Sequence, residues 1–361
     1  MNERSTVLAA VVDQEQRPSL RWPSLDGVRG LAFLLVALFH LNEFLRHPFF
    51  LADGQVGVWL FFVLSSYLLS RPLLADPSSM LRASTWTRYG VRRVLRVFPL
   101  FVVYVVCLST IAHVPWGKSG QVLLLQTTHA VDWSLFIECR FYLVLPFLLL
   151  PLAVLGRPRR YWCFLLLVVV VAAAAFPFWR DPGAWPFAGY PISGLAGNAV
   201  LLSYLSCFLP GVIAAYASVR WSPSPQRLGV WCDGVGILVL LSLPVIPLLV
   251  PQGEPGHAAY YFRLVHLWFP YACLFSLWVF LLGLGQGVFA RLLASPAFRF
   301  LGAISYPGYL FHLFVYYRLR PVITDDRWYA IAAFAAVCAV SYLLHRAIER
   351  PLSKVWSGKA G

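Results

Sequence analysis

The chain has 361 residues, of which 60% are hydrophobic and only 12% are charged, and its mean hydropathy is +0.70. Soluble globular proteins carry about 25% charged residues, so the composition excludes that class and indicates a protein that lies in the lipid bilayer. The net charge of +14 comes from short basic clusters between apolar runs rather than from one basic face. We therefore expect no nucleic-acid partner, because nucleic acid is bound by a continuous basic surface.

The N-terminal residues 1–24 form a predicted cytoplasmic tail. They contain no apolar region followed by a small-residue cleavage site, so we expect no removable signal peptide. From there on, apolar runs recur without a stretch large enough for a separate soluble domain. The sequence predicts one transmembrane domain over 25–354 and a short C-terminal tail over 355–361.

Apolar runs of about 20 residues, the length that an α-helix needs to cross a bilayer, recur along this domain. Each run should be a helix, because an isolated strand leaves its backbone polar groups unpaired in lipid. The predicted fold class is all-α, a polytopic membrane protein with about ten transmembrane helices. The predicted spans are 28–46, 56–74, 97–115, 133–153, 161–178, 197–217, 230–250, 266–286, 299–317 and 328–347.

Basic residues are distributed unevenly between the connections of these spans. Connections on the same side as the N-terminus hold most of the arginines, whereas those on the other side hold mostly single charges. Basic loops tend to stay in the cytoplasm. The asymmetry predicts a multi-pass protein of the inner (cytoplasmic) membrane with both termini in the cytoplasm.

The seven cysteines stand singly in or beside apolar segments. They show neither CxxC spacing nor a His–Cys cluster, so we expect no disulfide and no metal site. We also expect no permanently bound cofactor.

The segment LDGVRGLAFLLVALFH in the first span carries two ionisable residues, Arg29 and His40. An ionisable side chain inside a span is costly unless it is paired or hydrated, so each is a candidate functional residue. Eleven residues of helix separate the two by about 16 Å. This spacing predicts Arg29 at the cytoplasmic mouth of the span and His40 near the middle of the membrane.

The segment WSLFIECRFY places Glu138 about five residues, or about 8 Å, below the outer boundary of the fourth predicted span. By this count Glu138 and His40 lie at similar depth. A carboxylate in contact with His40 would orient the imidazole and stabilise its protonated form, which makes His40 a competent general base. The spacing fits equally a buried His–Glu pair that only ties two helices together.

The segment RRVLRVFPL carries Arg93 and Arg96, which share one helix face because they are three residues apart. Together with Arg29 they offer forked guanidinium donors suited to phosphate groups. The alternative is a positive-inside cluster whose side chains reach toward the cytoplasm. If the phosphates of acyl-CoA bind at the arginines, its phosphopantetheine arm would reach the base, about 16 Å away. This spacing fits acyl-CoA that enters from the cytoplasm.

The segment SYPGYLFHLF places His312 near the middle of the ninth predicted span, close to Tyr306. Both residues are candidates for positioning the acceptor substrate. A hydrogen-bonded histidine that serves packing is the alternative.

Two further polar segments favour structural roles. In AIERPL, Glu349 and Arg350 stand where Pro351 should end the last helix, which predicts an ion pair. In FFVLSSYLLS, Ser65 and Ser66 are predicted to allow close helix packing, because small residues do so within membranes. No GxSxG elbow supports a serine nucleophile.

Six segments, in order along the chain, resemble the motifs of acyltransferase family 3, the multi-span transferases that acylate sugars and other hydroxylated products. Where that family usually has Ser-Gly in the second span, this chain has Ser65-Ser66. The segments cover almost the whole chain and are LDGVRG with the histidine that follows it, FFVLSSYLL, RRVLRVFPL, WSLFIECRFYLVLPF, FLGAISYPGYLFHLF and IERPLSK.

The resemblance implies transfer of an acyl group, often acetyl, from acyl-CoA (acetyl-CoA) to a hydroxyl of a carbohydrate or a glycosylated small molecule. It carries over Arg29, Arg93 and Arg96 as functional residues together with His40, and Glu138 as the matching acid. A transporter or flippase for a polar or lipid-linked substrate is the alternative, since polar residues also line substrate paths within membranes. A protein that kept the fold but lost turnover is a second alternative.

Overall fold

The structure, a computed structural model, describes residues 22–46, 54–155, 194–221, 228–245 and 258–356. These residues are almost entirely helical and contain no strand. The predicted all-α class is therefore confirmed. The predicted span 161–178 and most of both predicted tails lie outside the described residues.

Helices follow one another along the described part of the chain, joined by short turns. Two segments, Pro77–Leu81 and Ala130–Asp132, are 3₁₀ turns, and His345–Glu349 is a π-helix. The α-helices are α1 (Pro23–Asn42), α2 (Gly54–Ala75), α3 (Ala83–Thr110), α4 (Trp116–Leu123), α5 (Trp133–Val154), α6 (Gly194–Arg220), α7 (Leu228–Ser242), α8 (Ala258–Leu282), α9 (Val288–Leu293), α10 (Pro296–Ala303), α11 (Ser305–Leu319), α12 (Asp326–Leu344) and α13 (Arg350–Trp356).

Four helical segments of the described residues are long enough and apolar enough to span a membrane. Shorter apolar helices lie within α6, α7 and α8. Nine of the ten predicted spans overlap described helices, but the count of about ten transmembrane helices is not confirmed. The four segments are Pro23–Asn42, Gly54–Ala75, Ala130–Val154 and Asp326–Ser353.

The predicted ninth span, 299–317, is two helices rather than one. Ile304 separates α10 from α11 and has φ −93° and ψ 3°, outside the regular helical angles. Pro307, in the first turn of α11, has no N–H to bond to an earlier carbonyl, so it favours a helix start here. Pro307 was therefore a sign of this break in the sequence, but the span was predicted from the length of the apolar segment alone.

Helix α1 touches α9 and α10 at the backbone because two glycines lie on one of its faces. A Cβ at Gly27 would collide with the backbone of Leu293, and one at Gly30 would collide with the backbone of α10. Small residues allow such close approach between helices in membranes. The two glycines of LDGVRG therefore fix the position of the helix that carries Arg29.

Helices α1 and α2 run antiparallel, so positions on the two helices can be compared along a common axis. Gly54, at the start of α2, lies against the ring of Phe39, and Gly57 lies against Val36. At 1.5 Å per residue, Ser65 is about 16 Å along α2 from Gly54. It therefore lies at the level of residue 29 on α1, which is about 15 Å from Phe39.

Helix α5 begins inside the bundle rather than at its edge. Its first residue, Trp133, packs edge-on against Phe62, with ring centroids 6.5 Å apart. Phe62 is eight residues, or about 12 Å, along α2 from its start. Asp132 at this helix end is only 2% exposed and accepts a hydrogen bond from the N–H of His129 at 2.6 Å. The positive end of the helix dipole also favours a carboxylate there.

We expect Gly27→Ala to lower the free energy of unfolding by about 1–3 kcal/mol, because backbone atoms of Leu293 cannot move aside as a flexible side chain would. The thermal midpoint of the purified protein in detergent measures this loss. Gly234→Ala in α7 is the control, since no atom lies within 4 Å of its added Cβ. That change should leave the midpoint equal or slightly higher. An unchanged midpoint for Gly27→Ala would contradict the close helix contact.

Candidate functional site

A cavity of about 90 Å³ lies between α1, α2, α3, α5 and α11. The residues that line it are far apart in the sequence. Most of the polar side chains among them can form hydrogen bonds with an anion or a hydroxyl group. His40 and His312 are not part of the lining. The structure thus brings together five of the seven predicted site residues, namely Arg29, Arg93, Arg96, Glu138 and Tyr306.

Arg93 and Arg96 lie on one face of α3, and each stands over a tyrosine ring. The Cζ atom of Arg93 is 5.8 Å from the ring centroid of Tyr142, and that of Arg96 is 5.9 Å from Tyr306. The hydroxyl of Tyr306 donates to the carbonyl oxygen of Val97 at 2.8 Å, which fixes that ring. Arg93 Nε is buried and has no hydrogen-bond partner among the described residues. The cavity therefore holds a guanidinium donor that an anion could satisfy.

Glu138 is the carboxylate of this cavity. Its Oε1 accepts hydrogen bonds from Ser65 Oγ at 2.5 Å and from the Tyr142 hydroxyl at 2.6 Å. Three arginines and this one glutamate line the cavity, so the lining carries an excess of positive formal charge. The excess of positive charge favours an anionic ligand.

The structure does not bring Glu138 to His40. Glu138 is bonded to Ser65, which lies about 16 Å along α2 from Gly54, whereas Gly54 packs against Phe39, the neighbour of His40. The prediction that the two ionisable residues lie at similar depth is therefore wrong. It failed because it placed the first residue of α5 at the membrane boundary, although that residue lies about 12 Å inside the bundle.

His40 instead contacts His312. The Nδ1 atom of His40 is 3.2 Å from Nε2 of His312, and the ring centroids are 4.9 Å apart. The same Nδ1 lies 3.0 Å from the carbonyl oxygen of Val36 one turn earlier. His312, predicted to position the acceptor, is fully buried against the predicted base.

His40 lies near one end of α1 rather than near the middle of that helix. The helix spans Pro23–Asn42, so His40 is two residues from its last residue and Arg29 is six residues from its first. The prediction assumed that the helix began near residue 28, which put both residues too close to the N-terminal side. The separation of about 16 Å along the helix is unchanged.

Tyr309 and Phe61 lie at the end of the cavity that faces the histidine pair. The ring of Tyr309 is 6.1 Å from that of Phe61 and 6.1 Å from that of His312. Its hydroxyl accepts a hydrogen bond from Ser134 Oγ at 2.7 Å, which holds the ring in place. On α2 the lining extends to Val58, only about 6 Å from the start of that helix. The cavity thus extends from the level of the arginines toward His40.

Glu349 pairs with Arg96 rather than with Arg350, which corrects the ion pair predicted from the sequence. Glu349 Oε1 is 3.2 Å from Arg96 Nη1, without a well-aligned hydrogen bond, and Oε2 is 2.6 Å from His345 Nδ1. Glu349 belongs to the π-helix, whose wider turn changes which residues face inward. Glu349 is buried while Arg350 is exposed. The C-terminal segment is thereby tied to an arginine of the cavity.

The cavity residues are those best suited to hold a ligand. Guanidinium groups bind anions rather than metal cations. Among the residues that the structure describes, no three His, Cys, Asp or Glu side chains come together as a metal site.

The family model that matches the sequence is described as an acyltransferase domain and covers residues 22–346. This is most of the chain. The chain belongs to acyltransferase family 3. The motif resemblance is therefore confirmed.

Similar proteins are O-acetyltransferases by name. The peptidoglycan O-acetyltransferase OatA of Listeria monocytogenes is 26% identical over 92% of this chain and 56% of its own length. The putative peptidoglycan O-acetyltransferase YrhL of Bacillus subtilis is 24% identical over 91% of this chain and 54% of its own. A putative O-acetyltransferase of Staphylococcus aureus is 23% identical, covering 92% and 57%. The chain thus spans about half the length of these relatives.

Several cavity residues of this acyltransferase-family chain were missed from the sequence. Tyr142 is one of them. It follows Glu138 by four residues, a spacing that puts both residues on one helix face and that was a usable signal. The bond between Ser65 and Glu138 had none, because it joins positions 73 residues apart.

The Arg96–Glu349 ion pair should appear as a coupling energy in a double-mutant cycle. We expect about 0.5–1 kcal/mol between Arg96→Gln and Glu349→Gln, since the arginine side chain is 35% exposed and partly screened. Thermal unfolding of the two single variants and the double variant measures this coupling. The matched cycle of Glu349→Gln with Arg350→Gln should give a coupling near zero. A larger coupling to Arg350 would support the pair predicted from the sequence instead.

Proposed function

We propose that this chain is an integral membrane O-acyltransferase that moves an acyl group, acetyl in the simplest case, from acyl-CoA to a hydroxyl of a carbohydrate or a glycosylated small molecule. The observation that carries this proposal is the arginine-lined cavity that extends toward His40. Membership of acyltransferase family 3 and the names of the relatives support the reaction class.

The donor is proposed to bind with its phosphates at Arg29, Arg93 and Arg96. The excess of positive charge and the unpartnered Nε of Arg93 suit a polyanion. From these arginines the phosphopantetheine arm would run past Tyr309 toward His40, a distance of about 16 Å along α1. The thioester carbon would then lie beside the imidazole.

His40 is proposed to act as the base through Nε2. As the acceptor oxygen bonds to the thioester carbon, Nε2 takes the hydroxyl proton, the carbon–sulfur bond breaks and the CoA thiolate leaves, later taking that proton. A transient acyl-His40 is a second route. In it Nε2 attacks the carbon and the thiolate leaves; the acceptor oxygen then bonds to the carbon, the bond to Nε2 breaks, and the hydroxyl proton passes to the thiolate. The residues are compatible with both routes.

Glu138 is assigned to the donor cavity rather than to the base. Its carboxylate fixes the hydroxyls of Ser65 and Tyr142 and offsets part of the arginine charge. These contacts support a role for Glu138 in shaping the walls of the proposed donor cavity.

The acceptor is proposed to approach from the side opposite the arginines. If both termini lie in the cytoplasm, as the basic loops predict, the His40 end of α1 faces the outer surface of the inner membrane. Two relatives are named for peptidoglycan, which is a carbohydrate polymer with free hydroxyls. A hydroxylated carbohydrate is therefore the proposed acceptor class. Tyr306, which the sequence predicted to position the acceptor, lines the cavity proposed for the donor.

His40→Ala should lower acyl-CoA-dependent acylation by at least about 100-fold, because the change removes the proposed base or nucleophile. Thiol release from acetyl-CoA in membranes with a panel of carbohydrate acceptors measures this loss. His113→Ala, at an exposed histidine, should keep wild-type turnover. Near-wild-type turnover of His40→Ala would contradict the proposal. Movement of a substrate without thiol release would favour a transporter instead.

Arg93→Gln should weaken use of the phosphate-bearing donor. Loss of one charge-assisted hydrogen bond, worth about 1.5–3 kcal/mol, lowers kcat/KM for acetyl-CoA by about 10–100-fold. Acetyl-pantetheine lacks the phosphates, so its kcat/KM should change little. The ratio of the two kcat/KM values is the readout.

Arg88→Gln is the matched control for that experiment. Arg88 is exposed on the same helix and does not line the cavity. It carries the same change of charge and should leave the ratio unaltered. An equal loss with both donors in Arg93→Gln would contradict phosphate binding at this arginine.

A further inference from the structure

We propose that His312 is the positioning residue for His40: its Nε2 accepts the Nδ1–H of His40, keeps His40 Nε2 free as the reacting atom, and stabilises the charge that forms on His40. This inference depends on the proposed function in one respect only, namely that His40 Nε2 is the reacting atom. The hydrogen-bond arrangement follows from the geometry alone.

The proton on His312 can be placed from its neighbours. Nδ1 of His312 lies 2.8 Å from the carbonyl oxygen of Tyr309 and 3.1 Å from that of Gly308. Carbonyl oxygens only accept hydrogen bonds, so Nδ1 carries the hydrogen. In a neutral imidazole the other nitrogen is then an acceptor. Nε2 of His312, which faces His40, is therefore that acceptor.

The same reasoning places the proton on His40. Its Nδ1 faces two acceptors, the carbonyl oxygen of Val36 at 3.0 Å and Nε2 of His312 at 3.2 Å. Nδ1 must therefore be the N–H, and its hydrogen is shared between them. Nε2 of His40 is left with its lone pair, and nothing among the described residues hydrogen-bonds to it.

Proton uptake at His40 Nε2 makes the contact with His312 stronger. The imidazolium of His40 carries an N–H on both nitrogens, so the bond from Nδ1 to His312 becomes charge-assisted and roughly twice as strong. His312 is fully buried and its position is fixed by two backbone carbonyls. A buried neutral imidazole avoids the desolvation cost that a carboxylate would incur there. His312 thus serves as the third group that orients a base.

Nitrogen-15 NMR of histidine-labelled protein tests the arrangement without donor or acceptor. The signals of His40 and His312 are identified by their loss in His40→Ala and His312→Gln. Above neutral pH we expect both residues with a protonated Nδ1 and a bare Nε2. A protonated Nε2 on neutral His40, or a bare Nδ1 on His312, would overturn the proposal.

Three substitutions of His312 test its effect on the reaction. His312→Gln can place an amide oxygen near the position of Nε2, whereas His312→Asn reaches only the position of Nδ1 and His312→Leu offers no acceptor. We expect His312→Gln to keep kcat within a few-fold, and the other two to lower kcat about 10–100-fold, as loss of a supporting hydrogen bond does elsewhere. KM for acetyl-CoA should stay unchanged in all three.

The controls separate positioning from packing and from the function itself. His113→Gln, at an exposed histidine, should match wild type, and thermal midpoints show whether each variant is folded. Equal kcat for His312→Asn and His312→Gln, or a raised KM with unchanged kcat, would overturn the positioning role. If wild-type protein releases no thiol from any acyl-CoA, the proposed function fails, and the NMR result still decides the hydrogen-bond arrangement.

Discussion

The cost of placing charged groups inside an apolar bundle governs this structure. Arg29, Arg93 and Arg96 face one cavity, and the bundle offsets them with Glu138 inside the cavity and with Glu349 from the C-terminal segment. A charge left unpaired at such a depth would be expensive. The charged groups of four helical segments, α1, α3, α5 and the π-helix, are therefore interdependent, and the Arg96–Glu349 ion pair joins two of these segments directly.

Close backbone contact supplies the rigidity that this pairing needs. Gly27 and Gly30 bring α1 against α9 and α10, and Gly54 and Gly57 bring α2 against α1. Arg29 lies between the first two glycines in the sequence. Its helix is thus fixed on two sides while its side chain lines the cavity. A charged group held on such a fixed helix can meet a ligand with little reorganisation.

The features that could be predicted from the sequence are those that depend on composition or on residue spacing within one helix. The all-α class, the shared face of Arg93 and Arg96 and the 16 Å step from Arg29 to His40 follow from helix geometry. Contacts between helices were not predictable in this way. The depth of Glu138 depended on where α5 starts, and the partner of Glu349 depended on a π-turn that hydrophobicity does not reveal.

The separation of Glu138 from His40 has a consequence for the proposed reaction. The groups that hydrogen-bond to His40 Nδ1, the Val36 carbonyl and His312, carry no formal charge. Attack on a thioester places negative charge on the carbonyl oxygen, and a carboxylate bonded to the base would repel that charge at short range. With Glu138 held by Ser65 and Tyr142 about 16 Å away, the fixed negative charge stays among the arginines. A neutral histidine can therefore orient the base without opposing the anion that the base helps to create.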